Sequence, residues 1–339
     1  MPQRQGFVTA GTWCVDYNKL ISAWPAEDTA TEVLAVDRQG GGSGHNMALD
    51  LKRLDLSLPV ETMGVIGEDD DGRFLAAQCD AAGIKREQLQ VVAGATTSVD
   101  AFSGAGSGRR THFFHQGAGA LLCPDHFDFS RTNARVVHLG LPGAHKTMDA
   151  PWRGDANGWA VVLRNARAAG LQTNLELMTI APDRLNKLAA PCLPHLDTLI
   201  VNDFEVGGAA GIETRVAGTT DVASVKRAIQ TVFERGAMQL VAVHFPEAAV
   251  VATRDGAFVT LGSVAIPERE IIGANGAGDA FAAGLLYGLH EEWEIARSLA
   301  LAHCAAAASM RAISTAAGVT DWRGCLALGE RWGFRAEPE

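Results

Sequence analysis

The sequence predicts an α/β fold with a mostly parallel central sheet, helices on both faces and a small inserted β-sheet. Short apolar runs alternate with longer segments whose apolar residues recur every three or four positions, a pattern typical of strands covered by helices. Two further stretches interrupt this alternation. With 339 residues and 47% hydrophobic content, the chain is long enough for one large domain with a subdomain or for two ordinary domains.

The predicted elements follow this alternation along the chain. The short apolar runs predict strands over residues 6–10, 61–66, 135–139, 171–175, 198–201, 239–243 and 249–253. The periodic segments predict helices over residues 44–52, 72–82, 155–169, 182–189, 204–210, 221–235, 277–289 and 293–311. Strands that alternate with helices in this way predict a largely parallel sheet.

The two interrupting stretches are residues 15–37 and 97–115. The second stretch alternates apolar and polar residues around Gly104–Gly108, as a β-hairpin does. Together they predict a small antiparallel sheet. Because the chain has no internal repeat, low-complexity tract or Pro/Ser-rich linker, we expect this sheet to be inserted into a single domain spanning residues 1–339. A lid over a bound ligand is the natural hypothesis for it.

Charge and cysteine content narrow the class of protein. The chain has 29 basic and 39 acidic residues, a net charge of −10 and no Lys/Arg block, so nucleic acid is not an expected partner. The six cysteines lack metal-ligand spacing and a disulfide framework, which favours reduced thiols. The first residues lack the apolar core of a signal peptide, and the longest apolar stretch, residues 299–310, is too short to cross a bilayer. We therefore expect a cytoplasmic protein without a membrane partner.

The most informative motif lies in residues 272–289. Its first half contains Gly276-Ala277-Gly278, and its second half predicts a helix that begins near Ala277. Such a helix start directs free N–H groups and the positive end of the helix dipole at one point, which suits a phosphate group. Asp279, in the first turn, would direct its carboxylate at the same point and accept a proton from an attacking hydroxyl. Taken alone, the motif is equally compatible with a carboxylate that only stabilises a helix N-terminus.

A second glycine-rich loop, residues 40–48, opens a helix with Asn46 in its first turn. Glycine lets backbone approach a polyhydroxyl ligand closely, and the Asn amide both donates to and accepts from sugar hydroxyls. As a lone motif the loop is equally compatible with a tight turn. Asp16 follows the first predicted strand, at the sheet edge where open α/β sheets bind ligands.

Taken in order, these motifs resemble the ribokinase-like carbohydrate kinase family, also called the pfkB (phosphofructokinase-B) family. The resemblance covers nearly the whole chain and rests on the order and spacing of Gly11-x4-Asp16, Gly41-Gly-x-Gly-x-Asn46, Gly64-x-x-Gly67-x-Asp69-x-x-Gly72, Asn202-x-x-Glu205 and Gly276-Ala-Gly-Asp279. It implies a central sheet with a β lid over a sugar, formed by roughly residues 15–37 and 97–115. It also implies a homodimer whose lids pack together.

The resemblance further implies roles for individual residues. Asp279 matches the catalytic base, and Gly276, Ala277 and Gly278 match the anion hole. The positions that match substrate contacts are Asp16, Gly41, Gly42, Asn46 and, on the returning lid strand, Arg110.

For the cofactors, the resemblance implies ATP and Mg²⁺. Asn202 and Glu205 match the pair that organises the metal and the phosphates, with Glu205 acting on Mg²⁺ largely through water. His244 opens His244-Phe-Pro-Glu247, where family members carry a Gly-x-x-Gly turn against the nucleotide, so it is a further nucleotide-binding candidate. Gly273 stands where members usually carry an Asp that helps bind a monovalent cation, which puts potassium activation in doubt.

The leading hypothesis is therefore a kinase that transfers phosphate from ATP to a hydroxyl group of a sugar. A nucleoside kinase of the same fold is an alternative, with Trp13, Phe102 and Phe114 as candidates for an aromatic base pocket. A ligand-binding or regulatory protein with weak phosphotransfer is another, motivated by Gly273 and by residues 244–247. The intact Gly276-Ala-Gly-Asp279 motif argues against the latter.

Overall fold

The computed structural model describes residues 4–104, 110–312 and 317–338, without the Arg110 side chain. The strands, in chain order, are β1 (Phe7–Gly11), β2 (Cys14–Ile21), β3 (Val33–Gly41), β4 (Val60–Gly67), β5 (Lys85–Val92), β6 (Thr97–Gly104), β7 (Arg110–His115), β8 (Val136–Gly140), β9 (Gln172–Leu175), β10 (Thr198–Asn202), β11 (Arg215–Val216), β12 (Thr219–Thr220), β13 (Leu240–His244), β14 (Ala248–Thr253) and β15 (Phe258–Gly262). The α-helices are α1 (Ser43–Leu54), α2 (Asp70–Ala82), α3 (Lys146–Asp149), α4 (Gly158–Ala168), α5 (Pro182–Ala189), α6 (Asp203–Ala210), α7 (Val222–Arg235), α8 (Ala277–His290), α9 (Ile295–Ser309) and α10 (Trp322–Trp332).

The central sheet has nine strands in the order β15-β14-β13-β10-β9-β8-β1-β4-β5. The strands from β13 to β5 are parallel, and β14 and β15 continue the sheet in antiparallel orientation at one edge. Strand β1 is buried at every position, as expected where helices cover both faces of a parallel sheet. The predicted fold class is confirmed.

Two helical layers cover this sheet. Helices α4, α5, α6 and α7 pack on one face, and α1, α2, α8, α9 and α10 pack on the other. Because side chains alternate along a strand, Val137 and Leu139 of β8 point into the first layer and Val136 points into the second. Within the described ranges, no helix is long and apolar enough to cross a membrane.

The four-stranded sheet, which we call the lid sheet, has the order β3-β2-β6-β7 and uses both of the interrupting stretches. Pairs β2–β3 and β6–β7 are antiparallel, but the central pair β2–β6 is parallel, so the prediction of an antiparallel sheet was wrong for that pair. The connections explain the difference. Strands β1 and β5 run in the same direction, so both leave the central sheet at the side where its parallel strands have their carboxyl ends. They continue directly into β2 and β6.

Six described elements were not predicted from the sequence: the strands β5, β11, β12 and β15 and the helices α3 and α10. Strands β5 and β15 form the two edges of the central sheet, and edge strands carry polar residues that weaken the apolar pattern. Helix α10 buries only Cys325, Leu328 and Gly329, a stripe too narrow to stand out as helical periodicity.

Asp50 is an exception to the apolar packing of α1 against the sheet. It is fully buried, and neither carboxylate oxygen has a hydrogen-bond partner among the described residues. Burial, reinforced by the negative charge of Asp279, raises the pKa of Asp50 well above its ordinary value. A carboxyl group with a raised folded-state pKa stabilises the fold most at low pH, and this contribution is lost as the pH rises toward the folded-state pKa.

We therefore expect Asp50→Asn to raise the unfolding temperature relative to the parent, by a difference that grows between about pH 5 and about pH 8. The amide has no charged form to bury, so the difference should reach about 2 °C or more at the upper end. Thermal unfolding followed by circular dichroism measures it. Glu234→Gln, at an exposed position of α7, is the control. A difference in unfolding temperature that stays constant or shrinks with rising pH would contradict a raised pKa of the buried Asp50 carboxyl group.

Candidate active site

The candidate site lies at the carboxyl edge of the central sheet, where the parallel strands end. Gly11 and Gly140 end β1 and β8, Asn202 and His244 end β10 and β13, and Glu176 directly follows β9. The first turns of α1 and α8 meet at the same edge. Open α/β sheets bind ligands at this edge.

The first turn of α8 forms the centre of the site. Gly276 is its N-cap, with a φ of 77°, a left-handed conformation that favours glycine. The N–H groups of the first turn have no acceptor within the helix, and the helix dipole adds partial positive charge there. Asp279 lies in this turn, so its carboxyl group borders a site suited to an anion.

Helix α1 holds the Asp279 side chain. Asn46 Nδ2 donates a hydrogen bond of 2.9 Å to Asp279 Oδ2. The Asn46 side chain is itself buried, and its Oδ1 lies 3.2 Å from His45 Nδ1. Two predicted site residues that are 233 positions apart in the chain are thereby in contact.

A second carboxyl group, which the sequence analysis did not identify, contacts Asp279. The carboxyl groups of Glu176 and Asp279 interact and border the same small cavity. Burial raises the pKa of Glu176 to about 8, and burial together with the charge of Glu176 raises the pKa of Asp279 well above its ordinary value.

The predicted substrate residues lie beside this pair, at the base of the lid sheet. A Cβ atom on Gly41 would lie 2.4 Å from Asp16 Oδ2, so glycine leaves the room that this carboxylate occupies. Asp16 Oδ1 accepts a weak hydrogen bond of 3.6 Å from the Cys14 thiol. Burial is the main reason why the pKa of Asp16 is raised to about 6, and the charge of Asp279 adds to it. Gly42, the N-cap of α1, connects Gly41 to the helix that carries Asn46.

Arg110 is the remaining predicted substrate residue. It begins β7, where its backbone pairs with Ser103, but its side chain lies outside the described residues. Its contact with a substrate therefore stays a prediction. The lid sheet is joined to the body at α2, where Tyr17 Oη donates to Asp71 Oδ1 at 2.7 Å and Arg38 Nη2 donates to the Asp70 carbonyl at 2.9 Å.

Asn202 and Glu205 form a capping box at the start of α6. Asn202 Oδ1 accepts from the Glu205 N–H at 2.8 Å, and Glu205 Oε2 accepts from the Asn202 N–H at 3.0 Å. The Thr179 hydroxyl donates to Glu205 Oε1 at 3.0 Å. Burial raises the pKa of Glu205 to about 7. Both residues thus stabilise the helix start in addition to any role in binding.

A small cavity joins these residues to the first turn of α8. Asn202, Glu205, Glu176, Gly278 and Asp279 all border it. No group of three or more His, Cys, Asp or Glu side chains is arranged as a metal site in the described parts of the chain. The carboxyl groups of Glu176, Glu205 and Asp279 nevertheless border this one cavity, and oxygen donors of this kind suit a hard divalent cation held through water.

A larger and mostly apolar cavity lies on the other side of the same helix turn. Ile271, Phe281 and Met310 contribute to its walls, and His244 borders both cavities. The His244 ring packs on Phe281 with 5.0 Å between ring centres. Burial lowers the pKa of His244 to about 4, so the ring is neutral at physiological pH.

His145 has a structural role that the sequence did not indicate. In the sequence, His145 and Lys146 follow the strand predicted over residues 135–139, in a loop where contact with an anionic substrate group and a solvated position are both open, yet the His145 side chain is buried. Its Nδ1 lies 2.7 Å from the Gly119 carbonyl, and its Nε2 lies 2.7 Å from the Thr12 hydroxyl. The solvated-loop interpretation was therefore wrong for His145, whereas the neighbouring Lys146 is exposed.

Glu176, His138 and Asn174 are the residues at this edge that sequence reasoning missed. All three lie in or directly after predicted strands, and His138 and Asn174 are polar positions within otherwise apolar runs. Polar residues inside strands that are buried on both faces are unusual. A polar residue within an otherwise apolar strand was therefore the sequence signal that could have identified His138 and Asn174.

Comparison with known proteins relates the chain to one family. A sequence profile described as pfkB family carbohydrate kinase matches residues 14–322. The ATP-dependent ribose-1-phosphate kinase of Halopiger xanaduensis is 25% identical over 302 residues, which cover 88% of this chain and 90% of that protein.

Solved structures share the fold at lower identity. The ribokinase of Thermotoga maritima has a TM-score of 0.78 at 14% identity, covering 96% of this chain and 99% of its own. The ribokinase of Arabidopsis thaliana, complexed with ribose and ATP, has a TM-score of 0.78 at 19% identity, with the same coverage. The nucleoside kinase of Methanocaldococcus jannaschii has a TM-score of 0.74 at 16% identity, covering 97% of this chain and 99% of its own.

The start of α8 can be tested as an anion site with Gly278→Ala. A Cβ atom there would lie 3.5 Å from His244 Cε1, an ordinary contact, so we expect an unchanged or higher unfolding temperature. The added methyl group would occupy space at the cavity that His244 borders, and we expect ATP affinity measured by calorimetry to fall by about tenfold or more.

Gly276→Ala provides the contrast, because the left-handed conformation of Gly276 makes any side chain strained. That variant should lose both thermal stability and ATP affinity. Undiminished ATP affinity in Gly278→Ala would show that the anion site lies elsewhere.

Proposed function

The chain belongs to the pfkB family of carbohydrate kinases, and on this premise we propose that it transfers the γ-phosphate of ATP to a hydroxyl group of a sugar or sugar derivative. Membership confirms the resemblance seen in the sequence and makes the chain a phosphotransferase that acts on an alcohol group. The observation that carries the proposal is the convergence of Asp279, Asn46 and the first turn of α8 on one point beside Asp16.

In the proposed mechanism, Asp279 is the general base. Its carboxylate accepts the proton of the acceptor hydroxyl as that oxygen attacks the γ-phosphorus and the bond from this phosphorus to the leaving ADP breaks, and Asn46 keeps the carboxylate in place. The N–H groups at Gly276, Ala277 and Gly278 stabilise the negative charge that develops on the transferred group.

The sugar is proposed to lie between the lid sheet and α1. Asp16 would accept hydrogen bonds from sugar hydroxyls, while Gly41 and Gly42 let the backbone approach closely. Arg110 on β7 would complete the site from the lid.

ATP and Mg²⁺ are the proposed cofactors. The carboxyl groups of Glu176, Glu205 and Asp279 fit a nearby cation, because they border one cavity and carboxylate oxygens are the ligands that a hard cation prefers. Asn202 and Glu205 would hold the metal through water, and His244 would border the nucleotide. The metal supplies charge neutralisation at the phosphates when it is bound. At Gly273 this chain lacks the carboxylate with which family members bind a monovalent cation. We therefore do not propose potassium activation.

Two relatives support sugars and sugar phosphates as the proposed substrate class. One relative is named for ribose 1-phosphate and one solved neighbour holds ribose. A coupled assay for ADP release should therefore compare pentoses, pentose 1-phosphates, hexoses and nucleosides, each with and without potassium. The nucleoside alternative receives no support from Trp13, which is buried in the core and packs beside Gly44 and Gly64.

Asp279→Asn tests the base. The amide keeps the shape of the carboxyl group but cannot accept the proton, so we expect kcat to fall by about 10²- to 10⁴-fold while substrate affinity is retained. Steady-state kinetics on the best substrate of the panel measures kcat, and calorimetry measures substrate affinity. Unreduced turnover in Asp279→Asn would show that Asp279 is not the general base.

A homodimer through the lid sheet is the proposed assembly. Both edge strands of this sheet expose apolar side chains, among them Val36, Phe113 and Phe114 with 59%, 57% and 46% exposure. By the strand register Val36 and Phe113 lie on the same face of the lid sheet, and exposed apolar side chains of this kind are typical of an interaction surface.

We expect the double variant Val36→Asp, Phe113→Asp to elute as a monomer when the parent elutes as a dimer, because the charges would have to be buried in the interface. Size-exclusion chromatography with light scattering measures the mass. Leu56→Asp is the control, since Leu56 is 80% exposed and lies outside the lid sheet. A double variant that remains dimeric would place the interface elsewhere.

A further inference from the structure

The lid sheet is joined to the body by four chain crossings, and a buried histidine links them. The chain passes between the body and the lid sheet after β1, after β3, after β5 and after β7. The last crossing leads into a short 3₁₀ turn, Gly117–Leu121. His145, which directly precedes α3, is only 1% exposed. A buried imidazole needs hydrogen-bond partners, and these partners show which parts of the chain the ring holds together.

One ring nitrogen of His145 holds the crossing from β1 to β2. Thr12 lies in this crossing, and its hydroxyl oxygen is 2.7 Å from His145 Nε2. The same hydroxyl accepts a hydrogen bond of 3.1 Å from the Leu141 N–H, and the Thr12 N–H donates to the Gly140 carbonyl at 2.8 Å. The Thr12 carbonyl accepts from the Gly44 N–H of α1 at 3.0 Å, which joins the crossing after β3 to the same residue.

The other ring nitrogen holds the two remaining crossings. Because a carbonyl oxygen only accepts, His145 Nδ1 donates to the Gly119 carbonyl, 2.7 Å away in the 3₁₀ turn. The Gly119 N–H donates at 3.1 Å to the hydroxyl of Thr97, the first residue of β6. That hydroxyl donates at 2.6 Å to the carbonyl of Gln116, which directly follows β7. The start of β6 and the end of β7 are thus connected to the ring through Gly119.

The packing around the ring leaves it little freedom to move. A Cβ atom on Gly119 would lie 2.5 Å from Thr97 Oγ1 and 3.2 Å from His145 Cε1, so only glycine fits beside both side chains. The fully buried Trp159 packs edge-on against the His145 ring with 5.6 Å between ring centres. The ring therefore holds its hydrogen-bond partners at fixed positions.

We propose that His145 is a positioning residue for sugar binding, which fixes the lid sheet against the start of α1 through Thr12 and Gly119. The proposal rests on the proposed function, in which the sugar lies between the lid sheet and α1. Asp16 lies on β2, four residues after Thr12, and Arg110 begins β7. The proposed sugar contacts on the lid are therefore on strands whose connections to the body this ring holds.

The consequence is a separation of sugar binding from turnover. Without the two hydrogen bonds of the ring, a bound sugar has to order the lid crossings itself, and this ordering reduces its affinity. The proposed base and anion site are on α8, whereas the hydrogen bonds of the ring run to the lid crossings. A loss of binding that is equal in the ground state and the transition state raises KM and leaves kcat unchanged.

Three substitutions of His145 test the two hydrogen bonds separately. His145→Phe keeps a ring and removes both bonds, so we expect the KM for the sugar to rise about tenfold or more, with kcat and the KM for ATP within about twofold of the parent. His145→Asn places an amide nitrogen near the position of Nδ1 and keeps the bond to Gly119. His145→Gln places an amide group near the position of Nε2 and keeps the bond to Thr12. Each should raise the KM for the sugar by only about threefold.

Thr12→Val tests the same contact from its other side, because valine has nearly the shape of threonine without the hydroxyl. We expect it to raise the KM for the sugar by about threefold in the parent and by less than about twofold further in His145→Asn, where the contact is already lost. Steady-state kinetics on the best sugar of the panel measures these values. A full effect of Thr12→Val in His145→Asn would show that the two side chains do not act together.

A control separates positioning from simple loss of stability. Val162→Ala, at a buried position of α4, should lower the unfolding temperature without changing the KM for the sugar. If His145→Phe does not fold, the milder variants His145→Asn, His145→Gln and Thr12→Val decide the question. An unchanged KM for the sugar in all three would overturn the proposal, and so would an equal rise of this KM in Val162→Ala.

Amide hydrogen exchange, followed by mass spectrometry, reads the lid sheet without any substrate. In His145→Asn and His145→Gln we expect peptides from β2, β6 and β7 to exchange at least about threefold faster than in the parent, while peptides from β9 and β10 keep the parent rate. Lid peptides that exchange at the parent rate in both variants would overturn the proposal.

Failure of the proposal is distinguishable from failure of the proposed function. If the parent phosphorylates no member of the substrate panel, the proposed function fails, and hydrogen exchange alone decides whether His145 fixes the lid sheet. If the parent turns over a sugar while the His145 and Thr12 variants keep its KM, the positioning role alone fails.

Discussion

The hydrogen bond from Asn46 to Asp279 is the contact on which the rest of the site depends. It joins the first turns of α1 and α8, which pack side by side on one face of the central sheet. The two turns carry different parts of the proposed site: α1 is preceded by the glycines beside Asp16, and α8 carries the proposed anion site and the proposed base. A shift of either helix would separate the proposed sugar contacts from the proposed anion site, since both are built on rigid elements and not on long loops.

The same face of the sheet carries an unusual amount of buried polarity. Glu176, Asp279 and Asp50 all have pKa values raised by burial, and His138 has one lowered by it. Burying such groups costs stability unless they are hydrogen-bonded. Glu176, Asp279 and His138 are linked to one another, whereas Asp50 has no hydrogen-bond partner among the described residues. The buried polar groups Glu176, Asp279 and His138 thus lie at or next to the proposed reaction site. The burial of Asp50 lowers folding stability, and nothing in the structure explains it.

The lid sheet shows how topology controls a detail that local sequence does not. Strands β2 and β6 are parallel because each continues a parallel strand of the central sheet across the same edge. Alternation of apolar and polar residues predicts a strand and its faces, but it carries no information about which neighbour the strand will pair with or in which direction.

The sequence by itself determined the fold class, the positions of the central strands and most helices, and the segments that meet at the site. Apolar periodicity predicts elements such as β8 and α5 because burial imposes it locally, and glycine-rich motifs around Gly42 and Gly276 persist because helix starts that approach a ligand need that backbone. Only the tertiary structure decided which side chains touch. The Glu176–Asp279 pair and the His138–Asn174 contact depend on strand register and helix packing, which bring distant residues together. The structural role of His145 was not predicted for the same reason, since its burial against Gly119 and Thr12 arises only when the chain is folded.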